Sequence, residues 1–359
     1  MRTLLTGGTG FIGSAVARRL LGLGWPLTVI ARSPERACGL KELGALVVAG
    51  DLLDPASVRR AAEGCRAVVH AAGVPRPATW RTFRAVHIDG TAAVVHAAQA
   101  AGVARLVNIA SQAVLFDGRD LLDVDDSCPY PQRYIDPYSE TKAQAERLAL
   151  AANDPPGLSV ISLRPAVVWG PGDTTVLPII AKLARSPMGV PMCGDGSNTE
   201  ATTYIENLVD AVVAALDAPP ASGPGPTYLI TDGFTVAWKQ FLSMQLEAAG
   251  VRARFRRIPA SVAIASAWMM DTLAGAFHLP VPLALFGVRS SITSRRFITT
   301  RAKDELGYAP RVGLEEGLKS LRAWVEQLGG QSGLIHARNR AEHARGCATT
   351  PGSGIPRPR

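Results

Sequence analysis

The sequence predicts an α/β fold, a doubly wound parallel sheet joined to a smaller, interleaved C-terminal lobe. Three observations carry this. Within the first 115 residues short apolar runs alternate with alanine-rich helical segments, a glycine-rich turn joins the first such pair, and the alternation breaks after Trp169-Gly170-Pro171-Gly172.

Strands are expected over 2–6, 26–31, 45–50, 67–71 and 106–110, and 159–164 continues the series after a helix that begins near Tyr138. Each is a nearly continuous apolar run, as a strand covered on both faces should be. Past residue 172, glycine, proline and mixed helical pieces run to about Trp324. The helix-like 205–216 and the strand-like 227–231 are expected to return to the first lobe. The division is then 1–172 with 203–232 for one lobe and 173–328 for the other. Residues 251–258 alternate Arg252, Arg254 and Arg256 with small or apolar residues, which reads as an edge strand with one basic face. A solvated face, an anionic-substrate contact and a membrane-surface contact all fit that strip.

At 359 residues, 47% hydrophobic and 19% charged, the chain is long and apolar enough for a large core, which excludes disorder for its bulk. Five cysteines without a C-x-x-C pair argue against a disulfide framework, a zinc ribbon or an iron–sulfur site, and for a reducing, cytoplasmic compartment. No metal is expected. Half of the formal charge of +8 lies in residues 331–359, where five arginines face one glutamate. With its Gly, Ser and Pro and no apolar periodicity, 329–359 reads as a disordered basic tail, and the remaining charge is too small to imply nucleic acid. Met1-Arg2-Thr3-Leu4-Leu5 runs into glycines rather than into the apolar region of a signal peptide. The longest apolar stretch, 258–270, falls short of the roughly 20 residues that span a bilayer.

Thr6-Gly7-Gly8-Thr9-Gly10-Phe11-Ile12-Gly13 follows the first strand directly and opens a helix. In that position Gly7 permits the tight turn, Gly10 lets the backbone approach a pyrophosphate, and Gly13 lets the helix pack closely on the sheet. The helix start, Phe11 and Ile12 included, supplies free N–H donors and a positive dipole. A dinucleotide should lie there. The second strand ends on Ala31-Arg32-Ser33, where an NAD site usually carries a carboxylate for the ribose 2′-OH. Arg32 can form charge-assisted bonds to a 2′-phosphate and Ser33 can add a donor, so NADP(H) is preferred over NAD(H). Asp51, ahead of Leu52, is a candidate acceptor for the adenine amino group, and His70-Ala71-Ala72-Gly73 ends the fourth strand on small residues that let a cofactor approach. His70 itself reads equally well as a satisfied core histidine.

Tyr138 and Lys142 lie four residues apart on an alanine-rich helix, so both project from one face. A phenol is a poor acid–base group at neutral pH, but a neighbouring ammonium favours its phenolate and brings it toward the working range. Ser111, at the end of the fifth strand, can hydrogen-bond the same substrate oxygen.

These residues carry a family resemblance. TGGTGFIG, Asp51-Leu52, His70-Ala71-Ala72-Gly73, Ser111 and Tyr138-x-x-x-Lys142 look like the extended short-chain dehydrogenase/reductases, the NAD(P)-dependent epimerase/dehydratase superfamily with a Rossmann domain. Leu163-Arg164-Pro165, Trp169-Gly170-Pro171-Gly172-Asp173, Gly194-Asp195-Gly196-Ser197-Asn198, Thr203-Tyr204-Ile205-Glu206-Asn207 and Glu305-Leu306-Gly307-Tyr308 are similar to its 3β-hydroxysteroid dehydrogenase and 2-alkyl-3-oxoalkanoate reductase branch. The resemblance implies hydride transfer between nicotinamide and a secondary alcohol or ketone, with Ser111, Tyr138 and Lys142 catalytic. Two positions depart from the pattern: His87 stands where the family usually has Asn, and Ala110 where Ser or Thr is frequent.

The apolar segment 258–287 favours a bulky hydrophobic ketone, and the arginines of 252–257 with Arg295 and Arg296 offer a cation for a β-keto acid. A 2-alkyl-3-oxoalkanoate-type substrate is therefore expected first, and a 3β-hydroxysteroid or sterol second. A sugar-nucleotide epimerase or dehydratase fits Ala31-Arg32 poorly, and a non-catalytic NADP sensor would be free to lose Tyr138 or Lys142. Core packing and membrane contact also fit 258–287, and a homodimer is compatible with the family.

Overall fold

Seven parallel strands form the central sheet of the computed structural model, which describes residues 1–75, 78–221, 223–277 and 284–343. In spatial order they are Thr227–Ile230, Ser159–Pro165, Arg105–Ile109, Ala67–His70, Thr3–Thr6, Leu27–Ala31 and Leu46–Ala49. From Thr3–Thr6 the chain builds toward one edge, then returns to the other side of that strand at Ala67–His70. Beyond the carboxyl ends of these two strands the reversal opens a crevice, the place where doubly wound sheets bind ligands.

Successive side chains along each inner strand enter opposite layers. Leu5, Val69, Val107 and Ile161 pack with the helices Phe11–Gly22 and Ile205–Asp217, whereas Leu4, Val68, Leu106 and Val160 pack with Pro55–Ala62 and Gly90–Ala100. Two buried faces per strand explain why the sequence runs are continuously apolar. The strand Leu46–Ala49 differs from that expectation. It is the sheet edge, and Leu46 is 54% exposed.

The helix Ile205–Asp217 and the strand Thr227–Ile230 both pack on the central sheet, the strand pairing with Ser159–Pro165. One buried carboxylate organises the neighbouring small sheet. Asp232 accepts from Trp169 Nε1 at 2.9 Å, Thr202 Oγ1 at 2.7 Å, Tyr204 N at 2.6 Å and Asn207 Nδ2 at 2.8 Å. Asn207 Oδ1 in turn accepts from the backbone of Arg311 and Val312, so the Thr203-to-Asn207 motif is a staple between segments about 100 residues apart in sequence.

Two expectations for the second lobe are corrected. Within 251–258 only Phe255–Ile258 forms a strand, paired parallel to Val190–Cys193, and Arg256 and Arg257 are both exposed rather than alternating. The tail is not disordered from residue 329: Gly330–His343 is a helix that packs Leu334 into a cluster containing Leu177, Ala181, Leu321 and Val325, and Ala337 is buried as well. Glycine and arginine hid this short apolar stripe in the sequence. Residues 344–359 lie outside the described residues. Truncation after Gly329 is expected to cost about 2–5 kcal/mol, the scale of emptying a buried leucine site. An unchanged Tm would show that the helix contributes nothing.

Candidate active site

A cleft of about 210 Å³ lies at the crevice and is lined by Gly7, Gly10, Arg32, Asp51, Ala72 and Val74 among others. Gly7 has φ +71°, and a Cβ there would meet Ala72 Cα and N at 2.7 Å. A Cβ on Gly13 would meet the Gly7 carbonyl oxygen at 2.1 Å, so the turn and the helix after it close only with glycine at both positions. Gly10 is the N-cap of Phe11–Gly22, and no side chain caps that helix, so its first N–H groups face the cleft mouth as an anion site. The cradle fits a dinucleotide pyrophosphate.

Of the residues expected at the cofactor, Gly7, Gly10, Arg32, Asp51, Leu52, Ala71 and Ala72 line the cleft. The half-buried side chains of Phe11 and Ile12 pack beside Trp169 and Tyr204, and neither lines the cleft. Gly13 supports the turn from behind, and Ser33 begins the 3-10 turn Pro34–Ala37. Asp51 Oδ1 accepts from Leu53 N at 3.0 Å. A second opening beside the glycine turn is lined by Thr9, Ser14, Arg18 and Arg36. Sequence reasoning missed Arg18 and Arg36, although both follow the glycine turn and second strand by only a few residues.

His70 is a satisfied core histidine. Its Nδ1 lies 2.7 Å from Thr6 Oγ1 and its Nε2 lies 3.0 Å from Thr91 Oγ1, while burial first, then the Lys142 charge, pull its pKa down to about 3. The Thr6 hydroxyl also accepts from Ala72 N, which ties two strand ends under the cleft.

The helix Pro137–Ala151 brings Tyr138 and Lys142 to the same end of the sheet. Asp136 caps it, Oδ1 accepting from Tyr138 N at 3.0 Å and Ser139 N at 3.1 Å, and Pro137 takes the first turn, where its missing N–H is harmless. Lys142 is buried and donates from Nζ to the Ile109 carbonyl at 2.7 Å, two residues before Ser111. Burial lowers its pKa to about 8, partly offset by Glu146. Ser111 Oγ accepts from Ala113 N at 3.2 Å, an arrangement in which its own O–H serves as a donor.

The Tyr138 ring stands edge-on to Phe83 and His87, with centroids at 5.8 Å and 5.4 Å. His87 belongs to a π-helical segment, Arg84–Asp89, a distortion common at functional sites. Its Nε2 accepts from Val74 N at 3.2 Å, which assigns the proton to Nδ1, 3.0 Å from Thr141 Oγ1. His87 thereby joins the cleft wall to the helix that carries Tyr138. The histidine that stands where the resemblance implies asparagine thus bridges these two groups itself.

Beside Ser111, Gln112 Nε2 donates to buried Glu200 at 3.3 Å, and Glu200 pairs with Arg295 at 3.1 Å. Burial pushes Glu200 up to about 7, with Arg295 the largest opposing influence. Arg296 pairs with Asp123 at 2.6 Å. Both arginines expected to await a carboxylate are therefore already engaged.

Residues 4–259 match the 3-beta hydroxysteroid dehydrogenase/isomerase family. The chain belongs to that family. It is 34% identical over 330 residues to a 4-hydroxy-2-methyl-3-oxo-4-farnesyl-3,4-dihydroquinoline-1-oxide ketoreductase of Stigmatella aurantiaca, covering 90% of this chain and 96% of the relative. A 2-alkyl-3-oxoalkanoate reductase of Stenotrophomonas maltophilia (strain K279a) is 33% identical, with 90% and 99% covered. Among solved structures, MoeE5 in complex with UDP-glucuronic acid and NAD superposes with a TM-score of 0.71 at 25% identity, over 91% of this chain and 99% of that one. This member of the family is an oxidoreductase acting on hydroxyl or keto groups. No described helix is long and apolar enough to cross a membrane, and no metal-holding cluster occurs among the described residues.

Proposed function

We propose that the chain is a ketoreductase for a bulky hydrophobic substrate and prefers NADP(H) to NAD(H). What supports this reading is the Lys142 ammonium bonded to the Ile109 carbonyl at the end of the fifth strand, two residues before Ser111, with Tyr138 one turn earlier on the same helix as Lys142. Bound along the cleft, the dinucleotide would be held by the Gly7–Gly13 turn and by Arg32, and it supplies the hydride. Tyr138 donates its phenolic proton to the carbonyl oxygen as that oxygen gains charge. Ser111 donates a hydrogen bond to the same atom, and the Lys142 ammonium favours the phenolate that remains. Arg18 and Arg36, which line the adjoining opening, would add positive charge for a 2′-phosphate.

Two relatives whose names describe ketone reduction support a hydrophobic ketone, with a 2-alkyl-3-oxoalkanoate-type β-keto acid as first candidate. A 3β-hydroxysteroid or sterol is the second, favoured by one observation: Glu200 already neutralises Arg295, and a steroid needs no cation. Comparing a long-chain β-keto acid, its methyl ester and a 3β-hydroxysteroid separates them. Turnover of the steroid with neither acyl compound accepted would reverse the order.

The cofactor preference has its own test. Arg32→Ala should raise the KM for NADP(H) by about 10- to 100-fold, the scale of a lost hydrogen bond to a charged group, with kcat little changed. Equal wild-type use of NADH and NADPH would overturn the preference.

A further inference from the structure

Half of the large hydrophobic side chains exposed among the described residues fall into two groups at opposite ends of one small ribbon. The ribbon is the parallel pair Val190–Cys193 and Phe255–Ile258. Ahead of its first strand, Val176, Ile179 and Leu183 share one face of the helix Leu177–Arg185 and its start, and the following turn exposes Met188 at 70%. After its second strand, the helix Ala260–Phe277 buries Ala263 and Ala267 while Val262, Trp268, Met269 and Met270 stay in solvent, Trp268 at 63%. Larger apolar groups outside and alanines inside reverse the usual amphipathic order.

The ribbon and the helix ahead of it also carry cations. Arg252, Arg254, Arg256 and Arg257 are exposed, as are Lys182 and Arg185 on the first helix. Arg254 adjoins Met188, since its carbonyl accepts from Val190 N at 2.7 Å and its Cβ would lie 3.4 Å from a Cβ on Gly189. No ion pair among the described residues engages these six cations. Asp195 is an acidic neighbour, held low first by the Ser197 hydroxyl and last by Arg257.

We propose that this face docks the protein peripherally on an anionic lipid surface. The ribbon cations would meet headgroup phosphates, and Met188, Trp268 and Met269 would enter the interfacial layer, where aromatic and flexible apolar side chains are favoured. A protein interface gathers its apolar residues into a core with a polar rim. Here the basic strand links two separate apolar groups, which suits a plane of phosphates better. The inference stands apart from the proposed reaction, because binding to vesicles needs neither substrate nor cofactor.

Flotation of the full chain with vesicles of phosphatidylcholine, alone or mixed with phosphatidylglycerol, tests the docking. Binding should appear on the mixed vesicles, weaken at raised ionic strength, and fall on the order of ten-fold or more in an Arg252→Glu, Arg254→Glu double variant. A Trp268→Ser variant should also bind more weakly, with its Tm unchanged as a check on folding. Absence of binding, equal binding to neutral vesicles, or full binding by the charge-reversed variant would overturn the proposal. So would a solution dimer that Met188→Ser dissociates, since the face would then be an interface between two copies of the chain.

Discussion

Tyr138→Phe is expected to lower turnover by ~10²–10⁴-fold while leaving cofactor binding intact, the usual scale for removing a general acid–base group. The substitution deletes one oxygen and keeps the ring, so the edge contacts with Phe83 and His87 survive. Asp136 caps the helix through the backbone of residue 138 and is untouched. The loss should therefore appear in kcat under conditions where chemistry limits the rate, with the dissociation constant for NADPH unchanged. Near wild-type turnover would assign the proton to another group.

The largest stability effect is expected at Glu146. Its carboxylate is fully buried and pairs with Arg164 Nη2 at 3.0 Å, accepts from Arg164 Nε at 3.0 and 3.1 Å, and also accepts from Ser162 Oγ at 2.7 Å and Tyr130 OH at 2.8 Å. Glu146→Ala strands the Arg164 guanidinium in a site where its side chain is 3% exposed. Breaking such a pair by removing one partner costs ~3–5 kcal/mol, a Tm decrease on the order of 10 °C. Replacing both residues by leucine and methionine should recover much of that loss, because the stranded charge goes too. A single variant as stable as the wild type in thermal and urea unfolding would mean that the site admits water.

The central sheet was legible because two-sided burial writes itself into local sequence, as in Ala67–His70 and Arg105–Ile109. The edge strand Leu46–Ala49 carries the same apolar letters without the burial, since edge position is a property of the whole sheet. The glycine turn and the Tyr138–Lys142 spacing were legible because five to eight consecutive residues carry the geometry. The Glu200–Arg295 pair was not, because its members lie 95 positions apart and only folding brings them together. The same reason hid the partners of His87, Val74 and Thr141, which come from segments far apart in the chain. The helix Gly330–His343 escaped notice because its stability comes from docking against Leu177 and Leu321 rather than from its own composition.

The most direct test of the central claim is transfer of the nicotinamide hydride to a hydrophobic ketone, followed with deuterated NADPH and mass spectrometry of the product. Reduction through Tyr138 requires deuterium on the new carbinol carbon, slower labelling when deuterated NADH replaces NADPH, and loss of labelling in Tyr138→Phe. A product without deuterium, or labelling that persists in the phenylalanine variant, would contradict it.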